Sequence, residues 1–536
     1  MKSMFVLVPL LVMFCSLLNA EAAEGGPGQG PSGEKHLKSI INIHPAYTVG
    51  DTEDALFSSF IEHIGRAVYH GIYEPGHPRA DKDGFRQDVI DLVKPLGLSL
   101  VRYPGGNFVS GYDWRDGIGP RERRPRRMEL AWKSVETNQI GVDEFALWCK
   151  KAGLQPMMAV NMGSAGAKDA IELMEYCNHP GGTYWSDLRR ENGSPEPHGI
   201  KYWCLGNEID GDWQICHKTA EEYGRLAYET GKLMKLMDPD CRLTVCGSSN
   251  YAMSGDWEAE VLRHTYGIAD LVAIHAYYGC HGGDVPAFLA CNLELEDYIK
   301  KVAGIIEYIR HAKRTDKKVY ISVDEWNVWY HGDRLPHEDW SEAPHIVEDN
   351  YVFVDALAFA SIFMTILRNC DNVKAACMAQ LVNVIAPIMT ENAEEGGRCW
   401  VQPTYWPFLH ICKWGRGTVL DMRIEGDTYD TGGRKGIGCL DSLAVISRDK
   451  KELTIFAVNR SLDSDMDFKC DLSSFGAVRM IEQLVLNSDD LNAENTPDEP
   501  DLVKPRPGTG CLIDDGHLTG ILEKHSWNVI RISLDK

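Results

Sequence analysis

The stretch YWCLGNEIDGDW, residues 202–213, runs as an apolar strand into Gly206, Asn207 and a carboxylate, Glu208. A second stretch, VYISVDEWNVWY (319–330), runs the same way into Asp324 and Glu325. Two carboxyl groups delivered by different strands to one cleft are what glycoside hydrolysis needs. One protonates the departing oxygen, and the other attacks the anomeric carbon or activates water. The competing reading is that these acids form structural ion pairs with arginines at the same rim. In a regular strand Asp324 points to the face opposite Glu325, so Asp324 reads as structural.

Other apolar runs end on polar or aromatic residues. FIEHIG brings Glu62, and VRYPGGNF brings Arg102 and, just beyond it, Asn107. IHAYYG puts His275 and Tyr277 on one face of a strand, two residues apart. QLVNV supplies Gln380 and Asn383, and Trp326 and Trp329 are available to stack on a sugar ring. Singly, each has a plainer reading: His275 as a satisfied core histidine, PGG as a tight turn. Together they form a ring suited to a small polyhydroxylated ligand.

These residues need a scaffold that gathers strand ends. From about residue 57 the text alternates short apolar runs with amphipathic ones. FSSFIEHIG, LSLVRYPGG, QPMMAVNMG, KYWCLGNE, RLTVCGSS, LVAIHAYY, KVYISVDEWN and AACMAQLVNV read as strands buried on both faces. Segments such as FRQDVIDLVKPLG, VDEFALWCKKAG, AKDAIELMEYCN and TAEEYGRLAYETGKLMKLMDP read as helices, the last with a capping box at Thr219 and Glu222. Eight strands, each followed by a helix, predict an α/β fold, a (β/α)8 TIM barrel over residues 57–415, with chemistry at the C-terminal ends of the strands. After Trp414, LAVISR, LTIFAVNR, MIEQLVL and WNVIRISL are separated by turn residues. Residues 416–536 therefore read as an all-β sandwich, jelly-roll-like, with residues 39–56 adding strand to it.

The chain has 536 residues and a net charge of −23, which argues against nucleic acid and anionic membranes as partners. No paired CxxC spacing and no GxxxxGK[ST] loop occurs. The N-terminus, one lysine and then an apolar run to Leu18 followed by Ala20–Glu21–Ala22, predicts a secretory signal peptide over residues 1–22. A membrane anchor is the alternative. A flexible linker follows over residues 23–38, and the mature protein is expected to be exported to the periplasm or outside the cell. Of the sixteen cysteines, Cys15 would leave with the signal peptide, and export permits disulfides among the fifteen that remain. Cys280 and Cys291, which bracket GCHGGDVPAFLAC, are the expected pair. Others, such as Cys204, Cys246 and Cys377, read as small buried hydrophobes.

RYPGGNFVSGYDWRDGIGP, YWCLGNEIDGDWQ, DEWNVWYH and AQLVNVIAPIMT resemble the motifs of glycoside hydrolase family 51, the α-L-arabinofuranosidases, and the likeness runs from about residue 40 to the C-terminus. The resemblance implies a retaining, exo-acting enzyme that removes terminal arabinofuranosyl units from arabinoxylan, arabinan or their oligosaccharides. It implies Glu208 as general acid/base and Glu325 as nucleophile. Glu62, Asn107, Asn207, Tyr277 and Gln380 would bind the furanose, Trp329 would flank it, and Arg102 and His275 would support the nucleophile. It implies a hexamer and no metal or organic cofactor. A β-xylosidase or endoglucanase on the same scaffold is the alternative, and a non-catalytic carbohydrate-binding protein a weaker one, since both acids are present.

Overall fold

The computed structural model describes residues 36–330 and 340–535. The expected signal peptide and most of the expected linker lie outside the described residues. The end of that linker is not one: Leu37–Asn42 is a strand.

Eight strands close into a parallel barrel: β1 (Ser58–Phe60), β2 (Leu100–Tyr103), β3 (Gln155–Val160), β4 (Tyr202–Leu205), β5 (Arg242–Val245), β6 (Leu271–Tyr278), β7 (Tyr320–Val328) and β8 (Val373–Ala379). They are apolar on both faces because both faces are buried. The lumen holds small or flexible side chains such as Leu100, Met157, Ala159, Cys204, Ala375 and Cys377. The outer faces, including Val101, Met158, Trp203, Val245, Ile274 and Val323, pack under the helices.

A helix follows each strand: α1 (Gln87–Val93), α2 (Val142–Ala152), α3 (Ala167–Asn178), α4 (Ala220–Met237), α5 (Asp256–Thr265), α6 (Asn292–Lys313), α7 (Phe353–Arg368) and α8 (Tyr405–Trp414). The capping box opens α4: Thr219 Oγ1 accepts from the Glu222 amide at 3.3 Å, and Glu222 Oε2 accepts from the Thr219 amide at 2.9 Å. Helix α7 is apolar all round and buried from Phe353 to Leu367. Such a helix needs cover on its outer side. The C-terminal sheets supply it, since α7 contacts Leu440–Ser447, Glu452–Asn459 and Ser526–Asp535.

Those strands belong to a seven-stranded sheet that faces a five-stranded one. Ile41, Leu420, Leu453, Ile455, Phe468, Leu518 and Ile530 fill the space between them. The four strand-like pieces read after Trp414 all lie in the seven-stranded sheet. Leu37–Asn42 joins the five-stranded sheet and Thr48–Asp51 the seven-stranded one.

The expected disulfide is corrected. Cys280 and Cys291 are both free thiols. A short helix, Val285–Phe288, intervenes. Burial raises both thiols.

Barrel and sandwich are joined by a buried charge cluster. Asp441 Oδ1 accepts from Arg368 Nη1 at 2.8 Å, and its Oδ2 pairs with Arg460 Nη2 at 3.0 Å. Arg460 Nη2 also donates to Asn292 Oδ1 at 2.7 Å, at the start of α6. Burial opposes the Asp441 charge, but Arg368 and Arg460 outweigh it and hold the carboxyl below its ordinary range. Its stabilising share is therefore present above the ordinary carboxylate range and is lost as pH falls through the lowered folded value. Asp441→Asn should cost about 3–5 kcal/mol at neutral pH by leaving the buried Arg460 and the half-buried Arg368 without their anion. Denaturation should show that gap narrowing in acid.

Candidate active site

Strand β4 stops at Leu205, and the chain turns through Gly206 (φ +94°) to Glu208, itself left-handed at φ +43°. Few non-glycine residues hold that conformation. Here two hydrogen bonds fix the side chain. Glu208 Oε1 lies 2.9 Å from His275 Nδ1, and Oε2 accepts from Trp213 Nε1 at 2.8 Å.

Strand β7 departs from regular pleating where the chemistry sits. Against β6, Ser322 pairs with Ala273 and Glu325 with His275, so two β7 residues stand opposite one. Against β8, Val323 pairs with Ala376 and Trp326 with Met378, again with one residue extra on β7. This β-bulge turns Asp324 and Glu325 to the same side. The expectation that Asp324 points away from Glu325 is therefore corrected. Asp324 Oδ1 lies 3.2 Å from His275 Nε2 and Oδ2 lies 3.8 Å from Arg102 Nε.

Both Glu325 oxygens accept hydrogen bonds: Oε1 from Arg102 Nη1 at 2.7 Å and Oε2 from Tyr277 at 2.7 Å. Arg102 Nη2 donates to Asn207 Oδ1 at 2.6 Å, so one guanidinium ties β7 to the end of β4. His275 Nδ1 is 3.6 Å from Glu325. Burial opposes charge on His275, but Glu325, Asp324 and Glu208 hold the imidazole protonated well above its ordinary range. One oxygen of Glu208 and one of Glu325 lie within 4.8 Å of each other. Together with His275 they form the one group among the described residues with ligand atoms at metal spacing. With His275 facing both carboxylates, the set is a salt-bridged cluster.

Glu62 closes the far side. Its Oε1 accepts from the Phe108 amide at 2.8 Å and from Trp132 Nε1 at 3.0 Å, and its own amide donates to Gln380 Oε1 at 2.8 Å. Burial and then the Glu325 charge push its carboxyl up to about 8. The PGG turn is shaped for this carboxyl: a Cβ on Gly106 would come within 2.2 Å of Glu62 Oε2.

Glu62, Glu208, Tyr277 and Glu325 line a cavity of about 550 Å³ with Asn107, Trp132, Trp213, Ser249, Trp329, Val347, Gln380 and Ile385. That is the size of a small-ligand pocket. Tyr277 meets Trp329 edge to face at 5.3 Å. Asn207 lies beside the pocket and donates to Asn107 Oδ1 at 3.4 Å. Two expected members fall elsewhere. Trp326 points outward and packs on Phe359 and Phe363 of α7. Asn383 binds the Arg66 carbonyl and the Thr390 amide under the rim. The reading of the sequence missed Trp132 and Trp213. Both sit in loops after β2 and β4, where no periodicity flags a side chain.

Models of known families match in two places: the "Alpha-L-arabinofuranosidase 1 domain" over residues 92–280 and the "Alpha-L-arabinofuranosidase C-terminal domain" over 324–526. An "Intracellular exo-alpha-(1->5)-L-arabinofuranosidase" of Halalkalibacterium halodurans is 48% identical, over 92% of this chain and 99% of its own. An "Exo-alpha-(1->6)-L-arabinofuranosidase" of Bifidobacterium longum is 44% identical, over 92% and 97%. The solved structure of a family 51 α-L-arabinofuranosidase from Bifidobacterium longum superposes with a TM-score of 0.89 at 41% identity, covering 93% of this chain and all of that one. The expectations of a signal peptide and of export are overturned here, because five such curated relatives are named intracellular enzymes. Among the described residues no helix is long and apolar enough to cross a membrane. Matched nearly end to end by these proteins in sequence and in fold, the chain belongs to glycoside hydrolase family 51, the α-L-arabinofuranosidases.

Proposed function

We propose that this protein is a retaining, exo-acting α-L-arabinofuranosidase that releases terminal arabinofuranosyl units from arabinan, arabinoxylan or derived oligosaccharides. The observation that carries the proposal is the approach of Glu208 and Glu325, with oxygens within 4.8 Å, on the wall of a pocket shut by Glu62. Retaining pairs stand about 5–5.5 Å apart, whereas inverting pairs leave room for a water at about 6.5–9.5 Å. In the first step Glu325 attacks the anomeric carbon as the bond to the leaving oxygen breaks, and Glu208 passes its proton to that oxygen. In the second, Glu208 takes a proton from water, which attacks the same carbon and frees Glu325. Net retention results.

Around this pair, Arg102 and Tyr277 orient Glu325, and His275 orients Glu208. Asn107, Asn207, Gln380 and Glu62 meet the sugar hydroxyls, with Trp329 at its side. Glu62 Oε1 accepts two short N–H donors, whereas Oε2 receives only Gln380 Nε2 at 3.5 Å, so Oε2 is the oxygen placed to carry the proton and donate it to a hydroxyl. The curated relatives include enzymes named for 1→5 and for 1→6 linkages, so release from defined oligosaccharides identifies the preferred bond. Residues 57–415 form the catalytic unit in this reading and 416–536, with 39–56, the sandwich. The functional particle is a hexamer, which light scattering measures.

Three outcomes test the roles. Glu208→Ala should lose natural arabinosides by about 100- to 10,000-fold yet spare the first step with a dinitrophenyl leaving group. Azide should restore its turnover and give the α-arabinosyl azide. Glu325→Ala should gain nothing from the good leaving group, and any azide product should be the β anomer; equal loss of both substrates by Glu208→Ala without azide rescue would remove its role.

Proton NMR of the first wild-type product should show the substrate's anomeric configuration.

Glu62 ionises as pH rises through about 8 and adds negative charge beside Glu325. In the wild type, kcat/KM should therefore carry an alkaline loss centred near there. Glu62→Gln, which stays neutral, should keep activity near pH 6.5 and lack that component.

A further inference from the structure

Beneath the catalytic pair, inside the barrel, three buried polar atoms make no hydrogen bond: Arg102 Nε, Thr244 Oγ1 and Asp324 Oδ1. Each belongs to a residue only 1% exposed. Buried polar atoms are nearly always paired, so three together call for an explanation. All three residues line one small internal space of about 10 Å³, with Cys204, Ala273 and His275.

Strand register brings them there. Thr244 of β5 stands opposite Cys204 of β4, so both side chains enter the lumen. The Cys204 thiol donates to Asp324 Oδ2 at 3.7 Å. Arg102 Nε lies 3.8 Å from the same oxygen, too far for a hydrogen bond. Asp324 Oδ1 lies 3.2 Å from His275 Nε2 but receives no well-directed hydrogen bond from it.

The chemistry of the set selects its occupant. Arg102 Nε only donates, ionised Asp324 only accepts, and the Thr244 hydroxyl does either. A cation here meets the Arg102 guanidinium, and an anion meets Asp324 with Glu325 close by. A neutral molecule with two donors and two acceptors satisfies all three. A buried water needs roughly 10–15 Å³ and two to four polar partners, and the space lies at the lower end of that range.

We propose that one fixed water is held here by Arg102, Thr244 and Asp324, and that Thr244 is thereby a positioning residue for the catalytic pair. Arg102 gives its two terminal nitrogens to Glu325 and Asn207. The water holds its remaining edge and keeps the guanidinium in plane with both. It also holds Asp324 toward His275, whose other nitrogen reaches Glu208. A hydroxyl on β5 thus steadies both carboxyls without touching substrate. The kinetic consequence rests on the proposed roles of Glu208 and Glu325, whereas the water site does not.

The test is a high-resolution crystal structure of the wild type and of Thr244→Val, with kinetics on an aryl arabinofuranoside for both and for Thr244→Ser. The wild-type map should show a water peak about 2.7–3.2 Å from the three atoms. Thr244→Val, which keeps the volume and loses the hydroxyl, should lose the peak. Its kcat should fall about tenfold with KM unchanged, the size expected for one hydrogen bond. Thr244→Ser should restore both. A wild-type map without the peak, or with an ion's shorter contacts, overturns the proposal even if the valine variant fails to fold. An unchanged kcat in a folded valine variant overturns the positioning role. A wild type that shows the peak but no arabinofuranosidase activity instead refutes the functional reading.

Discussion

Arg102 is a guanidinium removed from water and shared among carboxyl groups, and the arrangement of the catalytic strands follows from how it is shared. Removing such a charge from water is costly unless its donors are met at good geometry. Glu325 and Asn207 meet two of them, Asp324 stands near a third, and the Phe60 ring lies 4.7 Å beneath the plane. Because the fork is rigid, fixing one partner fixes the others. The end of β4, which carries Asn207 and Glu208, is thereby indexed to β7, which carries Glu325. His275 repeats the device from β6. Glu62, neutral near pH 7, completes the ring without adding charge to it.

Much of this was legible because barrels obey simple rules. Apolar runs that end in a polar residue are strand ends, and in this fold strand ends share one rim. Glu62, Arg102, Glu208, His275, Tyr277 and Glu325 were found that way. Asp324 was misplaced because alternation assumes one residue per partner residue, and β7 carries one extra. Nothing in the letters VDEW announces a bulge. Trp326 was misassigned for a different reason: as the neighbour of Glu325 it turns to the opposite face and packs on α7, and only Trp329, past the strand's end, returns to the pocket.

The remaining errors came from context that sequence text does not carry. Trp132 and Trp213 lie in loops, and their roles follow from the carboxylates they reach, not from spacing. Cys280 and Cys291 are close in sequence, yet a helical turn lies between them and both are free thiols. PGG read as a turn, but its second glycine is required by the near contact of Glu62. The apolar N-terminal run met the compositional rule for export, whereas near full-length relatives are named as intracellular.

The two short strands at the start of the described chain have a consequence for how the protein is made. Leu37 pairs with Met466, and Thr48 pairs with Leu420. The sandwich therefore closes around the whole barrel sequence, and no ribosome can release a finished second module before the last strand, Ser526–Asp535, has emerged. During synthesis, Leu37–Asn42 and the outer side of α7 wait exposed while the barrel forms. Contacts of this sequence separation form slowly and leave apolar surface open to aggregation meanwhile. The barrel thus acts as a spacer whose own folding brings the two ends of the sandwich within reach.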